Sequence, residues 1–236
     1  MPMTETQSSI AAALSLLTGF DAELFGIVGL SLAVSLSAVA LAALVGLPIG
    51  ALLALVRFRG RDGVIVVVNA CMGLPPVVVG LALYLLLSRA GPLGEWGLLF
   101  TPGAMVVAQA VLVLPVVAAL ARQVVADLWD EYGDQLRSFG AGRGRRVATL
   151  LWDGRLALLT AVLAGFGRAA AEVGAVIIVG GNIKGVTRTM TTAIALETSK
   201  GNLSLALGLG LVLICLVLLI NASAYALGEW TRRAAR

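Results

Sequence analysis

Histidine is absent from the 236 residues, which removes imidazole-ligated metals and His-based catalytic dyads or triads. Cysteine occurs twice, at Cys71 and Cys215, each inside an apolar run. That placement reads as packing, not as a disulfide framework or a metal site. Neither lysine, Lys184 or Lys200, follows a glycine, so the chain contains no phosphate-binding GxxxxGK[ST] loop. Any nucleotide chemistry therefore belongs to another chain. Charged residues make up only 13%, against about 25% in an average soluble domain. The net charge of +4 does not indicate nucleic acid, because the basic residues gather at the ends of apolar runs. No catalytic, cofactor-binding or metal-ligating residue is expected.

What is present in excess is apolar: 59% of the residues are hydrophobic and the mean hydropathy is +0.99. Leu24–Val56, Val64–Ser88, Pro102–Ala121 and Gly201–Gly228 carry no Asp, Glu, Lys or Arg, and Leu156–Ile183 carries only Arg168 and Glu172. Each is at least as long as the ~20 residues that cross a hydrocarbon core. The expected fold is an all-α polytopic membrane protein with five spans, near 24–56, 64–88, 102–126, 156–183 and 203–228. Residues 1–23 hold no Lys or Arg, so a cleaved leader is not expected. Ile10–Phe20 is read as a short interfacial helix. Assigning alternate loops to alternate sides puts twelve basic residues on one side and four on the other. The positive-inside rule then predicts an external N-terminal segment (1–23) and a cytoplasmic C-terminal tail (229–236).

The spans are rich in helix-modifying residues. Glycine contributes 28 positions, and Pro48, Pro75, Pro76 and Pro115 fall within predicted spans, where each removes a backbone hydrogen bond and favours a kink. Such a set fits a pathway or moving parts better than a simple anchor. No internal repeat stands out. The polar stretch 127–155 sets five acidic residues against five arginines and is punctuated by Gly133, Gly140, Gly142 and Gly144. Gln135–Phe139 ending at Gly140, followed by an amphipathic run over Arg145–Trp152, predicts a helix–turn–helix unit able to dock on another protein.

Asp134–Gly140 followed by Ala141 resembles the EAA loop of ABC-transporter permeases, with Asp134 in place of its Glu and Gln135 and Leu136 in place of its alanines. Gly165–Gly185, GFGRAAAEVGAVIIVGGNIKG, is similar to the F-x-R-A-x-x-E-x-G-A block of molybdate-type permeases through Phe166, Arg168, Ala169, Glu172, Gly174, Ala175, Gly181 and Asn182. Leu74–Gly80, Gly91–Gly94 and Ala108–Val117 follow the same family in order and spacing. The tail GNIKGVTRTMTTAIALETSKGN is most similar to the tungstate branch.

The resemblance implies the type I importer fold and a homodimer that forms the path. It also implies an ABC ATPase subunit carrying ATP and Mg in the cytoplasm, and an extracytoplasmic oxyanion-binding protein. By the same resemblance, Asp134, Gln135, Leu136, Phe139, Gly140 and Ala141 couple to the ATPase. A molybdate or sulfate permease, a secondary transporter and a membrane anchor remain as alternatives.

Two further groups are singled out. Arg168 and Glu172, four apart, are expected on one helix face inside the membrane, where a charge costs roughly 2.5–3.5 kcal/mol unless paired or facing a cavity. They are either a neutralising pair or part of the path. Asn182, Lys184, Arg188, Thr191 and Thr192 lie in an external run whose hydroxyl and cationic donors suit an oxyanion. That run is read as an outer gate or binding-protein contact, or as an ordinary solvated helix. Asn221, Ser223 and Tyr225 are assigned to packing.

Overall fold

The computed structural model describes the backbone of residues 22–234 and the side chains of 24–226. The interfacial helix expected at Ile10–Phe20 lies outside the described residues. Among these, the structure is built of helices: α1 (Ala22–Leu55), α2 (Arg61–Cys71), α3 (Pro76–Leu87), a single 3-10 turn (Gly94–Trp96), α4 (Pro102–Ser138), α5 (Arg143–Asp153), α6 (Arg155–Ala170), α7 (Gly174–Gly180), α8 (Met190–Ser199) and α9 (Leu203–Ala234).

Local chemistry explains most of the boundaries. Pro76 occupies the first position of α3 and Pro75 before it is extended, because a proline disfavours helical φ/ψ in its predecessor and gives no N–H to a preceding turn. The run expected as one span over 64–88 is therefore two helices, bent by 100°. Thr101 accepts from the Ala104 N–H at 3.4 Å and Pro102 follows it, a start signal for α4. Nothing in Asp127–Ser138 breaks a helix strongly, so α4 runs on for 37 residues through the first part of the expected polar loop. The run 156–183 is also discontinuous: α6 stops at Ala170 and α7 restarts at Gly174. Among the described residues, three helices are long and apolar enough to cross a membrane, or up to five if each bent pair, α2–α3 and α5–α6, counts as one span.

Helix α4 is the axis of the bundle and α1 is its principal partner. A Cβ on Gly50 would stand 2.8 Å from the Arg122 backbone nitrogen and from Ala121 Cβ, and one on Gly46 would stand 3.2 Å from the Leu114 carbonyl. Only glycine at these two positions, one turn apart, lets the backbones approach so closely. The same register shows that α1 and α4 run parallel. Helix α6 runs antiparallel to α4, since Gly154 faces Leu128 and Val124 while Gly165 faces Val117 and Val113. Four apolar clusters follow one another along α1, around Leu24 with α8 and α9, Val34 with α3, α4 and α7, Val39 with α4 and α6, and Ala51 with α4 and α5. The outer faces remain apolar and bare, as at Leu44, Leu85, Leu218 and Leu219.

Candidate functional site

The α4–α5 junction is a formed helix stop. Gly140 adopts φ 65°, its N–H donates to the Arg137 carbonyl at 2.9 Å, and the Ala141 N–H reaches back to Leu136 at 3.1 Å. This pair of bonds is the Schellman arrangement, which needs a left-handed residue at the glycine position. Ala141 is buried, and Leu136 packs against the cluster of Ala51, Val125 and Leu150. The six residues expected to couple to the ATPase are therefore not equally placed for it. Leu136 and Ala141 serve the core, whereas Phe139 is 83% exposed. Asp134 and Arg137 pair at 2.9 Å on the exposed surface, where such a pair contributes little. Gln135 is exposed beside them. Trp152 at the end of α5 is also bare, stacked under the Arg155 guanidinium at 5.0 Å. Sequence reading passed over Trp152, although a Trp–Asp–Gly–Arg helix end in a polar loop was a visible signal.

The intramembrane charges are arranged otherwise than expected. Arg168 lies in the last turn of α6, but Glu172 lies beyond its end, and no ion pair joins them among the described residues. Glu172 is buried, and its carboxylate accepts from the Ala175 N–H at 3.0 Å, capping the start of α7. Its carbonyl accepts from the Thr191 hydroxyl at 2.8 Å, which ties the break to α8. Arg168 is half-buried and its Nε has no hydrogen-bond partner.

Around this break sits a polar network that the sequence reading missed. Gln109 of α4 donates from Nε2 to the Ala169 carbonyl at 3.0 Å, while its buried Oε1 is unpartnered. Ser31 of α1 accepts from the Met190 N–H at 2.8 Å. With Ser35, Thr189 and Thr191 these residues line a cavity of about 20 Å³, roughly the space of one water. Gln109 was legible as the single amide in the uncharged run Pro102–Ala121.

The group expected on the external side divides in the same way. Thr192 is fully buried and forms a reciprocal capping box with Thr189, so it is corrected from surface contact to helix cap. Thr191 is committed to Glu172. Asn182 takes φ 50° and donates to the Thr192 carbonyl at 3.3 Å. Lys184 and Arg188 line a cleft of about 500 Å³ with Glu197 and Lys200. Lys200 and Asn202 hydrogen-bond the Glu197 carboxylate at 2.9 and 3.1 Å and hold it below the ordinary carboxylate range.

Comparison with known proteins adds the decisive observation. Residues 46–236 match the family described as "Binding-protein-dependent transport system inner membrane component". The chain belongs to this family. The permease is 43% identical over 185 residues to the "Probable anion ABC transporter permease protein" of Haloferax volcanii, covering 76% of this chain and 80% of that one. It is 41% identical over 218 residues to the "Tungstate uptake system permease protein TupB" of Peptoclostridium acidaminophilum, covering 92% and 96%. A protein of the same name from Campylobacter jejuni is 42% identical over 148 residues, covering 63% of this chain and 62% of its own. The permease is thus a non-catalytic inner-membrane component, in agreement with its apolar helices.

Proposed function

We propose that this permease is the translocation subunit of an ATP-driven oxyanion importer whose cargo is tungstate. The observation that carries the reading is the near full-length similarity to a tungstate uptake permease, 96% of which is covered. Five crossings with the N-terminus outside fit the parallel course of α1 and α4 and the basic excess at the α4–α5 end. The path forms between two copies, as the family resemblance implies; the polar cavity beside Gln109 has room for about one water and does not by itself hold a central atom with four oxygens. An extracytoplasmic binding protein delivers the anion to the Lys184–Lys200 end.

Coupling to a separate ATPase runs through the α4–α5 turn, where the bare Phe139 ring is the one residue of the turn with a large apolar surface to bury. Removing such a ring from water on docking contributes on the order of 1.5–3 kcal/mol. Arg168, half-buried and unpaired with Glu172, supplies positive potential towards the path. The test is uptake into proteoliposomes holding the permease with its ATPase and binding protein. ATP-dependent tungstate accumulation, outcompeting molybdate and sulfate, is expected. Uptake that ignores ATP, or that prefers sulfate, would refute the assignment.

A further inference from the structure

Between the C-terminal end of α1, α4 and α5 lies a cleft of about 520 Å³ lined by Arg57, Arg61, Arg137, Arg143 and Arg146, against a single acid, Asp130. Two of the five are partly committed. Arg61 donates to the Leu53 carbonyl at 2.7 Å, closing the end of α1, and Arg137 meets Asp134 at 2.9 Å. Arg57 and Arg143 form no ion pair among the described residues, and the buried Arg146 Nε has no hydrogen-bond partner. Arg137 and Arg146 both approach the Trp129 ring, at 5.0 and 5.6 Å, so two cations converge on one indole. Arg143 and Arg146 also stand in the first turn of α5, whose N-cap Gly142 offers no side-chain acceptor. Cations there oppose the helix dipole, and the open N–H groups favour an anion.

We infer that this cleft binds the phosphate headgroup of an anionic phospholipid. Its floor includes Ala54, Leu55, Val56 and Ala126, so it straddles the level where the uncharged run of α1 gives way to arginines. Basic pockets between membrane helices at that depth recognise lipid phosphates. Helix α2 starts at Arg61 within the cleft, has no buried residue, and exposes Val66 and Val67, a wall along which acyl chains would lie. Placing the lipid in the cytoplasmic leaflet rests on the orientation given under the proposed function; the headgroup chemistry does not.

The test is titration of the delipidated full-length permease with phosphatidylglycerol, phosphatidylcholine or inorganic phosphate, read by native mass spectrometry. The variant Arg57→Gln/Arg143→Gln alters two exposed side chains that make no ion pair, and Arg89→Gln is the control. At roughly a five- to sixfold loss for each arginine charge removed near a lipid surface, binding of phosphatidylglycerol should weaken about 30-fold in the double variant. It should be unchanged in Arg89→Gln and exceed that of phosphatidylcholine. Equal binding of both lipids, an unaffected double variant, or full displacement by equimolar inorganic phosphate would overturn the inference. So would a double variant that keeps the lipid but loses its ATPase, which would make the cleft a protein contact. Failed uptake with intact lipid binding would reject the importer reading alone.

Discussion

Replacing Gly140 by valine isolates the α4–α5 turn from the rest of the bundle. A Cβ there meets no atom within 4 Å, so the cost is conformational and not steric. A left-handed conformation costs a side-chain-bearing residue roughly 1–2 kcal/mol. Escaping it by unwinding would forfeit the two closing hydrogen bonds, each contributing about 0.5–1.5 kcal/mol. Either route costs on the order of 1–3 kcal/mol, a factor of about 5–150 in the population of the closed turn. Of the four apolar clusters only the one around Leu150 reaches the turn, through Leu136, so the membrane helices should stay folded. Gly140→Val should therefore express normally, lose most ATPase association in a pull-down and abolish uptake in vesicles. Gly140→Asn, which tolerates the left-handed region, should retain most of both. Phe139→Ala should resemble the valine variant without any change in thermal stability. Wild-type association in Gly140→Val, or equal loss in the asparagine variant, would show that the shape of this turn does not matter to coupling.

Glu172→Leu should destabilise by about 1–3 kcal/mol, because the buried Ala175 N–H loses its acceptor, whereas Glu172→Gln keeps an acceptor and should be mild. A double-mutant cycle with Arg168→Met should give coupling below about 0.5 kcal/mol; a larger value would restore the ion pair. Gly50→Leu should lower folded yield sharply by forcing α1 from α4, at a cost of at least 1–3 kcal/mol, measured by fluorescence-detected size exclusion; normal yield would contradict the close approach. Glu197 has a depressed carboxyl, so its contribution should be present at neutral pH and lost as pH falls below the ordinary value of about 4.3. Hydrogen exchange at the α8–α9 junction should then rise on acidification, and Glu197→Gln should remove that pH dependence.

The three long apolar helices α1, α4 and α9 were legible because long uncharged runs have few other solutions, and Gly140 was legible because a glycine closing an amphipathic piece has a local meaning. The break after Ala170 was not legible. Arg168–Glu172 reads RAAAE, a strong helix former, and the helix stops there for tertiary reasons: Glu172 turns to cap α7 while Thr191 holds its carbonyl. The division of labour between Leu136 and Phe139 was hidden for a similar reason. Both are apolar and three apart, but only the fold brings the cluster of Ala51, Val125 and Leu150 against the first and leaves the second bare. The threonines misled in the opposite direction, since a hydroxyl suited to an anion suits a helix N-terminus equally well.

The continuity of α4 has a mechanical consequence. At about 1.5 Å per residue, its 37 residues form a rod of about 55 Å, well beyond the ~30 Å of a hydrocarbon core. One end carries the Phe139 turn, and near the other Gln109 grips the carbonyl where α6 gives out. A push at the tip therefore reaches the discontinuous helix through a single stiff lever, with Pro115 as its one built-in flexure. Turn and break are joined by one continuous helix, with Pro115 between them and no loop on the way.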